Sequence, residues 1–400
     1  MLRNNPLQLA LVLAAFLLPF GGAMPSICML LIGLSMFRML ITRQLALRIH
    51  SPVRVVLLLL LFASYLAGTC YSSRADLAWH SLQIALPLLL WPLLLSIASP
   101  VIRVTPILRS FGAGCAVALG ACLLHAGFEY LFITHYIDSL FYANLSLFVH
   151  PGYFAMYLLF AICLALVHPL RSRLLQFGLM IWLVSGIFLL SSRTTLLSLA
   201  LLALIGLPLY FLLQKRWKIS LLIITSFLIL SGVTWKLLDE VQRYRISRLL
   251  EVFHESKPDL SSVESLDARI FAWKSAASLI AGRPAFGYGT GMADLRLQGE
   301  YQRRGLSGLL SEKLNAHNEY LQIWLTLGIP GLLALLLHFG AGLPVYMKRR
   351  YWPGLAFIFL IFIHFLTESM LERQAGVAFF AFFNALLLFT QEKNPYPAIP

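Results

Sequence analysis

Long unbroken runs of apolar residues alternate with short polar connectors along most of the chain. Runs such as 55–66 and 196–213 are apolar at successive positions and lack the every-second-residue alternation of a membrane β-barrel. About 20 apolar residues can cross the hydrocarbon layer as a helix, which satisfies its own backbone hydrogen bonds. The pattern predicts an all-α polytopic membrane protein with about twelve transmembrane helices, near residues 7–22, 25–42, 55–70, 79–98, 111–133, 152–168, 175–190, 194–213, 219–238, 320–345, 353–368 and 375–391.

The connectors between these segments alternate in charge. Every second connector, together with the two termini, carries about half of the 31 basic residues and a single acidic residue, Glu392. The other connectors carry the remaining acidic residues. Basic residues concentrate in cytoplasmic loops of membrane proteins. We therefore predict that both termini are cytoplasmic and that the acidic connectors face the periplasm of a bacterial inner membrane.

Composition agrees with this interpretation. The chain is 59% hydrophobic and 12% charged, and its net charge of +14 is explained by the cytoplasmic loops, so it does not indicate nucleic-acid binding. The five cysteines lie in apolar stretches without a CxxC pair, as buried structural thiols do. We interpret the first segment as an uncleaved helix, because Pro25 follows the position where a signal peptide would be cut.

One connector is far longer than the others and predicts an ordered, helical periplasmic domain. Residues 239–255 alternate basic and apolar positions as a helix at a membrane surface would, and Ser261 to Glu264 form a capping box for a second helix that passes through Trp273. The predicted organisation is residues 1–238 with nine transmembrane helices, the loop domain 239–319, and residues 320–400 with three helices and a short cytoplasmic tail.

Two arginines on the outward side are candidates for binding an anion. Arg193 stands beside Ser192 in a very short turn between two spans, where an arginine either faces a wet cavity or extends to the membrane surface. Arg269 lies on the capped helix, one turn before Trp273. The glycine-rich stretch 284–291 follows, and we interpret it mainly as a turn that lets backbones pack closely, since no strand precedes it and no P-loop lysine follows.

His317 is the strongest catalytic candidate. It precedes Asn318 at the start of a span, with Asn315 as the predicted N-cap, so that both residues would lie in the first helical turn. The helix N-terminus attracts phosphate and disfavours a charged imidazole, which would leave His317 able to accept a proton.

Other outward-facing residues are candidates for supporting roles. Glu368 and Arg373 flank a short turn and could pair with each other, and His150 precedes Pro151 at the start of a span. The sequence shows no metal-ligand spacing such as HExxH, so no metal site is predicted.

Five blocks of these residues together resemble the O-antigen ligase/polymerase family over about residues 150–345. In chain order they are Ser191-Ser192-Arg193; Arg269-Ile270-Phe271-Ala272-Trp273; Pro284 with Gly287-Tyr288-Gly289-Thr290-Gly291; His317-Asn318-Glu319-Tyr320-Leu321-Gln322; and Leu327-Gly328-Ile329-Pro330-Gly331. The overall length is most similar to that of the ligases in this family.

The resemblance implies glycosyl transfer at the periplasmic face. The donor would be an undecaprenyl-pyrophosphate-linked O-antigen polysaccharide, and the acceptor a sugar hydroxyl of lipid A–core. No metal, ATP or other cofactor would be required. Arg193 and Arg269 would bind the pyrophosphate and His317 would act as the base, while Ser192, Asn318, Glu368 and His150 are assigned to substrate binding.

Two alternatives remain open from the sequence. An O-antigen polymerase would use the same donor with a growing chain as acceptor. A membrane transporter would be expected to carry ionisable residues near the membrane midplane and inverted repeats, and neither is evident here.

Overall fold

A computed structural model describes residues 5–213, 215–237 and 266–390. These residues form α-helices and short 3-10 or π turns, and they contain no β-strand. The helices are α1 Pro6–Leu17, α2 Met24–Ile41, α3 Pro52–Thr69, α4 Ala75–Ala98, α5 Val104–Glu129, α6 Tyr142–Leu145, α7 Pro151–Val167, α8 Arg173–Leu190, α9 Arg193–Leu201, α10 Leu207–Leu213, α11 Trp217–Leu237, α12 Leu266–Gly282, α13 Ala293–Arg304, α14 Ser307–Ser311, α15 Glu319–Gly340, α16 Leu343–Arg349, α17 Trp352–Phe365 and α18 Gln374–Phe389.

Seven helical stretches are long and apolar enough to cross a membrane, which indicates a multi-pass membrane protein. They are Met24–Ile41, Pro52–Thr69, Ala75–Ala98, Val104–Thr134, Arg173–Leu190, Arg193–Leu212 and Glu319–Arg349. The other five predicted segments coincide with shorter apolar helical stretches, at Pro6–Phe20, Pro151–Val167, Trp217–Ser226, Trp352–Phe365 and Gln374–Phe389. The all-helical class is therefore confirmed, while twelve spans remains a prediction.

Aromatic side chains hold the centre of the bundle together. Where α5, α7 and α18 meet, the rings of Tyr157 and Phe379 stack with centroids 4.4 Å apart, and Phe111 packs edge-on against Phe383 at 4.7 Å. Such ring pairs stabilise by about 0.5–1.5 kcal/mol beyond the area they bury. The result is a rigid frame under the loops at the helix ends.

A smaller apolar cluster organises the described part of the predicted loop domain. Alanines on one face of α12 let it pack closely against α13 and α15, around the fully buried Leu297 and Tyr301. α12 matches the helix predicted through Trp273, whereas the proposed surface helix at 239–255 and the capping box at 261–264 lie outside the described residues.

The helix α15 is broken at Gly328, and the glycine-rich stretch repairs the break. Gly328 has φ of 69°, and Pro330 has no N–H, so the carbonyls of Leu325 and Thr326 lose their usual partners within the helix. The backbone N–H groups of Tyr288 and Gly289 donate to these two carbonyls, each over 2.9 Å. The segment between α12 and α13 is thereby fastened to α15 by backbone hydrogen bonds.

Candidate active site

Four connections between helices meet at one end of the bundle and enclose a cavity of about 280 Å³, here called the arginine cavity. It lies among the start of α7, the turn between α8 and α9, the first turn of α12 and the loop after α17. Its walls are Tyr142, His150, Gly152, Ser191, Ser192, Arg193, Thr194, Arg269 and Glu368.

Arg193 is presented by a tight turn. Ser191 adopts a left-handed conformation (φ 48°) that ends α8, and Ser192 caps α9 by accepting a hydrogen bond from the backbone N–H of Thr195 at 3.4 Å. Arg193 is therefore the first residue of α9, is exposed to the cavity, and forms no ion pair with any residue in the described ranges. A guanidinium group at a helix start with no counter-charge is available to an anionic ligand.

The turn is tied to the loop that carries Glu368. The hydroxyl oxygens of Thr194 and Thr367 are 2.8 Å apart, and the hydroxyl of Thr195 lies 3.1 Å from Nε2 of His364. These buried polar contacts fix the two sides of the arginine cavity relative to each other.

Glu368 links the second arginine to the histidine. Nη2 of Arg269 donates to Oε1 of Glu368 over 2.8 Å, and Nδ1 of His317 lies 3.4 Å from Oε2 of the same carboxylate. The side chain of Glu368 is only 13% exposed, and those of Arg269 and His317 are about one quarter exposed. The pairing of Glu368 with Arg373 suggested by the sequence is wrong, because the loop turns the carboxylate towards α12.

The environment keeps Glu368 ionised. Burial by itself would raise the pKa of this carboxyl, but the neighbouring His317, Arg269 and His150 together outweigh burial and hold the pKa below its ordinary value of 4.5. A carboxylate at this position can orient the imidazole and leave its Nε2 to accept a proton.

The backbone around His317 differs from the prediction. Asn318, and not Asn315, caps α15, since its side chain accepts from the N–H of Leu321 at 3.0 Å. Oδ1 of Asn315 instead accepts from the N–H of His317 at 3.0 Å, and His317 takes a left-handed conformation with φ of 44° just before the helix. The hydrogen bond from the N–H of His317 to Asn315 holds the chain in a turn, and the helix begins after it, at Glu319. Nε1 of Trp273 donates to the carbonyl of His317 at 3.4 Å and holds this segment against α12.

The remaining predicted residues divide between the cavity and its frame. His150 caps α7, where its Nδ1 accepts from the N–H of Gly152 at 3.3 Å, and it also lines the arginine cavity. Asn318 donates to the carbonyl of Leu366 at 3.1 Å, which anchors the start of α15 to the Glu368 loop. Asn318 and Ser192 are the N-caps of α15 and α9. The assignment of these two residues to substrate binding remains a prediction.

A comparison with known protein families matches part of the region that contains these residues. Residues 177–336 match the family model described as O-antigen ligase. The match covers about two fifths of the chain and supports membership of the O-antigen ligase family. It includes Arg193, Arg269 and His317, whereas His150 and Glu368 lie outside it. The comparison with curated proteins found no match. The matched model indicates a glycosyl-transfer enzyme of the O-antigen ligase or polymerase type.

The glycine-rich stretch has a structural role. A Cβ on Gly287 would lie 2.6 Å from the carbonyl oxygen of Leu325, and one on Gly289 would lie 2.9 Å from the backbone of Ser72. The N–H groups of residues 287–290 already donate to backbone carbonyls, so the alternative of a pyrophosphate-binding loop does not fit these positions.

A second and larger cavity, of about 520 Å³, was not predicted from the sequence. We call it the carboxylate cavity; the lining residues used below are Tyr65, Asp294, Gln298, Asn315, Gln322, Glu372 and Arg373. Gln322 belongs to the block beginning at His317, whereas Asn315 and Arg373 were named in the sequence for other reasons. These lining residues come from α3, α13, α15 and the loops before α15 and α18, which meet only in the folded chain.

Proposed function

We propose that this protein is an O-antigen ligase that transfers polysaccharide from an undecaprenyl-pyrophosphate carrier to a sugar hydroxyl of lipid A–core. The reaction would take place at the periplasmic face of the bacterial inner membrane. The observation that carries this proposal is that Arg193, Arg269 and Glu368 line one cavity and that His317 contacts Glu368 in its wall, although the four residues lie far apart in the sequence.

The two arginines are suited to a diphosphate leaving group. Arg193 forms no ion pair among the described residues, and Arg269, whose Nη2 donates to Glu368, lines the same cavity. Guanidinium groups stay charged and bind phosphate oxygens in pairs, so they can stabilise the negative charge that develops as the sugar–phosphate bond breaks. This account requires neither ATP nor a divalent cation.

In the proposed step, the acceptor hydroxyl oxygen attacks the anomeric carbon of the donor sugar. The bond from that carbon to the phosphate oxygen breaks, and undecaprenyl pyrophosphate leaves with the electron pair. Nε2 of His317 accepts the hydroxyl proton, while Glu368 stabilises the imidazolium that forms. A general base of this kind contributes about 10²–10⁴-fold to the rate. One direct displacement inverts the configuration at the anomeric carbon.

A reconstituted transfer assay tests this function. Purified protein in lipid nanodiscs would receive lipid-linked O-antigen and lipid A–core, with attachment followed by gel shift. We expect His317→Ala to abolish transfer while donor binding persists. His317→Asn is the second variant, because asparagine tolerates the left-handed backbone and so preserves the fold. Glu312→Gln, an exposed change in the same loop domain, is the matched control. Normal attachment by both His317 variants would refute the role of the base.

The same assay separates ligase from polymerase. With lipid A–core supplied, the ligase proposal predicts lipopolysaccharide as the product. Longer lipid-linked chains with no labelled lipid A–core would overturn the ligase assignment and identify a polymerase.

A further inference from the structure

The carboxylate cavity contains a buried hydroxyl group that has no partner. Tyr65 on α3 is 2% exposed and lines the cavity, and its hydroxyl oxygen forms no hydrogen bond although it is shielded from solvent. Leaving such a group unpaired costs about 1–3 kcal/mol. Because Tyr65 is part of the cavity wall, its unpaired hydroxyl is a candidate partner for a polar ligand bound there.

The opposite wall presents a set of groups that match the hydroxyls of a sugar. Nε2 of Gln322 donates to Oδ1 of Asp294 over 2.9 Å, and Oε1 of Gln322 accepts from the N–H of Ala316 at 3.2 Å, so the amide is held in one orientation. Burial and the nearby Asp294 raise the pKa of Glu372 to about 8. A carboxyl that carries its proton at neutral pH can both donate to and accept from a hydroxyl group.

The lining combines hydrogen-bond donors with acceptors, which suits a ligand rich in hydroxyl groups. Arg74, Lys313 and Arg373 line the cavity together with Asp294 and Glu372, so that both kinds of partner are present. In the described part of the chain no three His, Cys, Asp or Glu side chains are grouped as metal ligands. The volume of about 520 Å³ is within the usual range for pockets that enclose a small ligand.

The segment of His317 contacts the walls of both cavities. Asn315 lines the carboxylate cavity and bonds the backbone N–H of His317, whose imidazole lies 3.4 Å from Glu368 in the wall of the arginine cavity. The two cavities share no lining residue. A hydroxyl presented from the carboxylate cavity would thus come from a different cavity than the one that holds the arginines.

We propose that the carboxylate cavity binds the sugar that supplies the accepting hydroxyl, with Tyr65 and Asp294 bonding its other hydroxyl groups and Gln322 holding Asp294 in position. This inference rests on the proposed glycosyl transfer and adds the location of the acceptor subsite. The arginine cavity keeps the donor diphosphate.

Initial rates of transfer by the full-length protein in nanodiscs test the assignment. Each substrate would be varied in turn at saturating concentration of the other. Tyr65→Phe removes only the unpaired hydroxyl, and we expect it to raise the KM for lipid A–core about three- to tenfold with the donor KM unchanged. Asp294→Asn, which preserves shape, should act in the same direction. Tyr346→Phe removes another fully buried, unpartnered hydroxyl, distant in sequence and outside both cavities, and should change neither KM.

The outcomes distinguish this inference from the function on which it rests. If Tyr65→Phe and Asp294→Asn leave the acceptor KM at the wild-type value, or raise the donor KM instead, the acceptor subsite is wrong while the transfer reaction stands. If the wild-type protein does not transfer sugar to lipid A–core at all, the proposed function itself fails. A purely structural hydroxyl would give the opposite result, since Tyr65→Phe would then stabilise the protein and leave both KM values unchanged.

Discussion

Replacing Glu368 by glutamine should separate the charge of this residue from its shape. The carboxylate bonds Arg269 over 2.8 Å and lies 3.4 Å from His317, and it is only 13% exposed. At an effective dielectric constant of about 20, opposite charges 3–4 Å apart attract by about 4–5 kcal/mol, most of which is offset by desolvation. Hydrogen bonds to charged groups retain about 1.5–3 kcal/mol net.

If 2–3 kcal/mol of this interaction acts by orienting His317 and stabilising its protonated form, Glu368→Gln should lower kcat by about 30- to 150-fold. The donor KM should change little, because Arg193 keeps its position. Glu368→Asp should recover part of the rate. Single-turnover transfer with saturating donor and acceptor measures kcat directly. A Glu368→Gln enzyme with wild-type kcat, correctly folded by thermal unfolding, would refute the idea that the carboxylate orients the base.

The two arginines should respond differently to alanine. Arg193→Ala should weaken binding of undecaprenyl pyrophosphate, measured by titration, without changing the melting temperature. Arg269→Ala should also lower the free energy of unfolding by about 1–3 kcal/mol, because it leaves Glu368 buried without its partner. Equal stability of the two variants would contradict the pairing of Arg269 with Glu368. Because the pKa of Glu368 is lowered, its contribution to stability is present at pH values above the ordinary 4.5 and is lost as the pH falls through the folded-state value. The difference in melting temperature between wild type and Glu368→Gln should therefore shrink in acid. A difference that grows in acid would contradict this sign. Transfer should persist in EDTA, and restoration of a lost activity by Mg²⁺ would count against the arginine account. Gly328→Ala should release the segment 284–289 from α15. The positive φ at this position costs an alanine about 1–2 kcal/mol, and the added Cβ would collide with the backbone of Ala285. Hydrogen exchange at 284–289 should become faster, and unchanged exchange there would contradict the role of Gly328 in holding this segment.

Local signals predicted much of the fold and part of the site. Apolar runs located the helices, because membrane-spanning segments satisfy their own backbone and leave a strong pattern in the sequence. Arg193, Arg269 and His317 were recognisable because they lie in compact blocks with fixed spacing. His150 was predicted to begin a helix, and it does so through the cap that its imidazole provides.

The parts that were missed depend on contacts between distant segments. The N-cap of α15 was placed at Asn315, since either asparagine could serve and only the turn at His317 selects Asn318. The partner of Glu368 depends on how α12 packs against the loop after α17, which no short pattern encodes. Tyr65 looks like any aromatic residue of an apolar helix until the fold places it in the wall of a cavity.

The central claim is that a diphosphate-linked sugar is held by Arg193 and Arg269 with its anomeric carbon facing His317. A cryo-electron microscopy structure of the protein with undecaprenyl-pyrophosphate-linked sugar, prepared in EDTA, measures this directly. We expect the diphosphate between the two guanidinium groups and the first sugar within reach of the imidazole. A diphosphate bound outside the arginine cavity, or a first sugar too far from His317 for a bound hydroxyl to bridge them, would contradict the account.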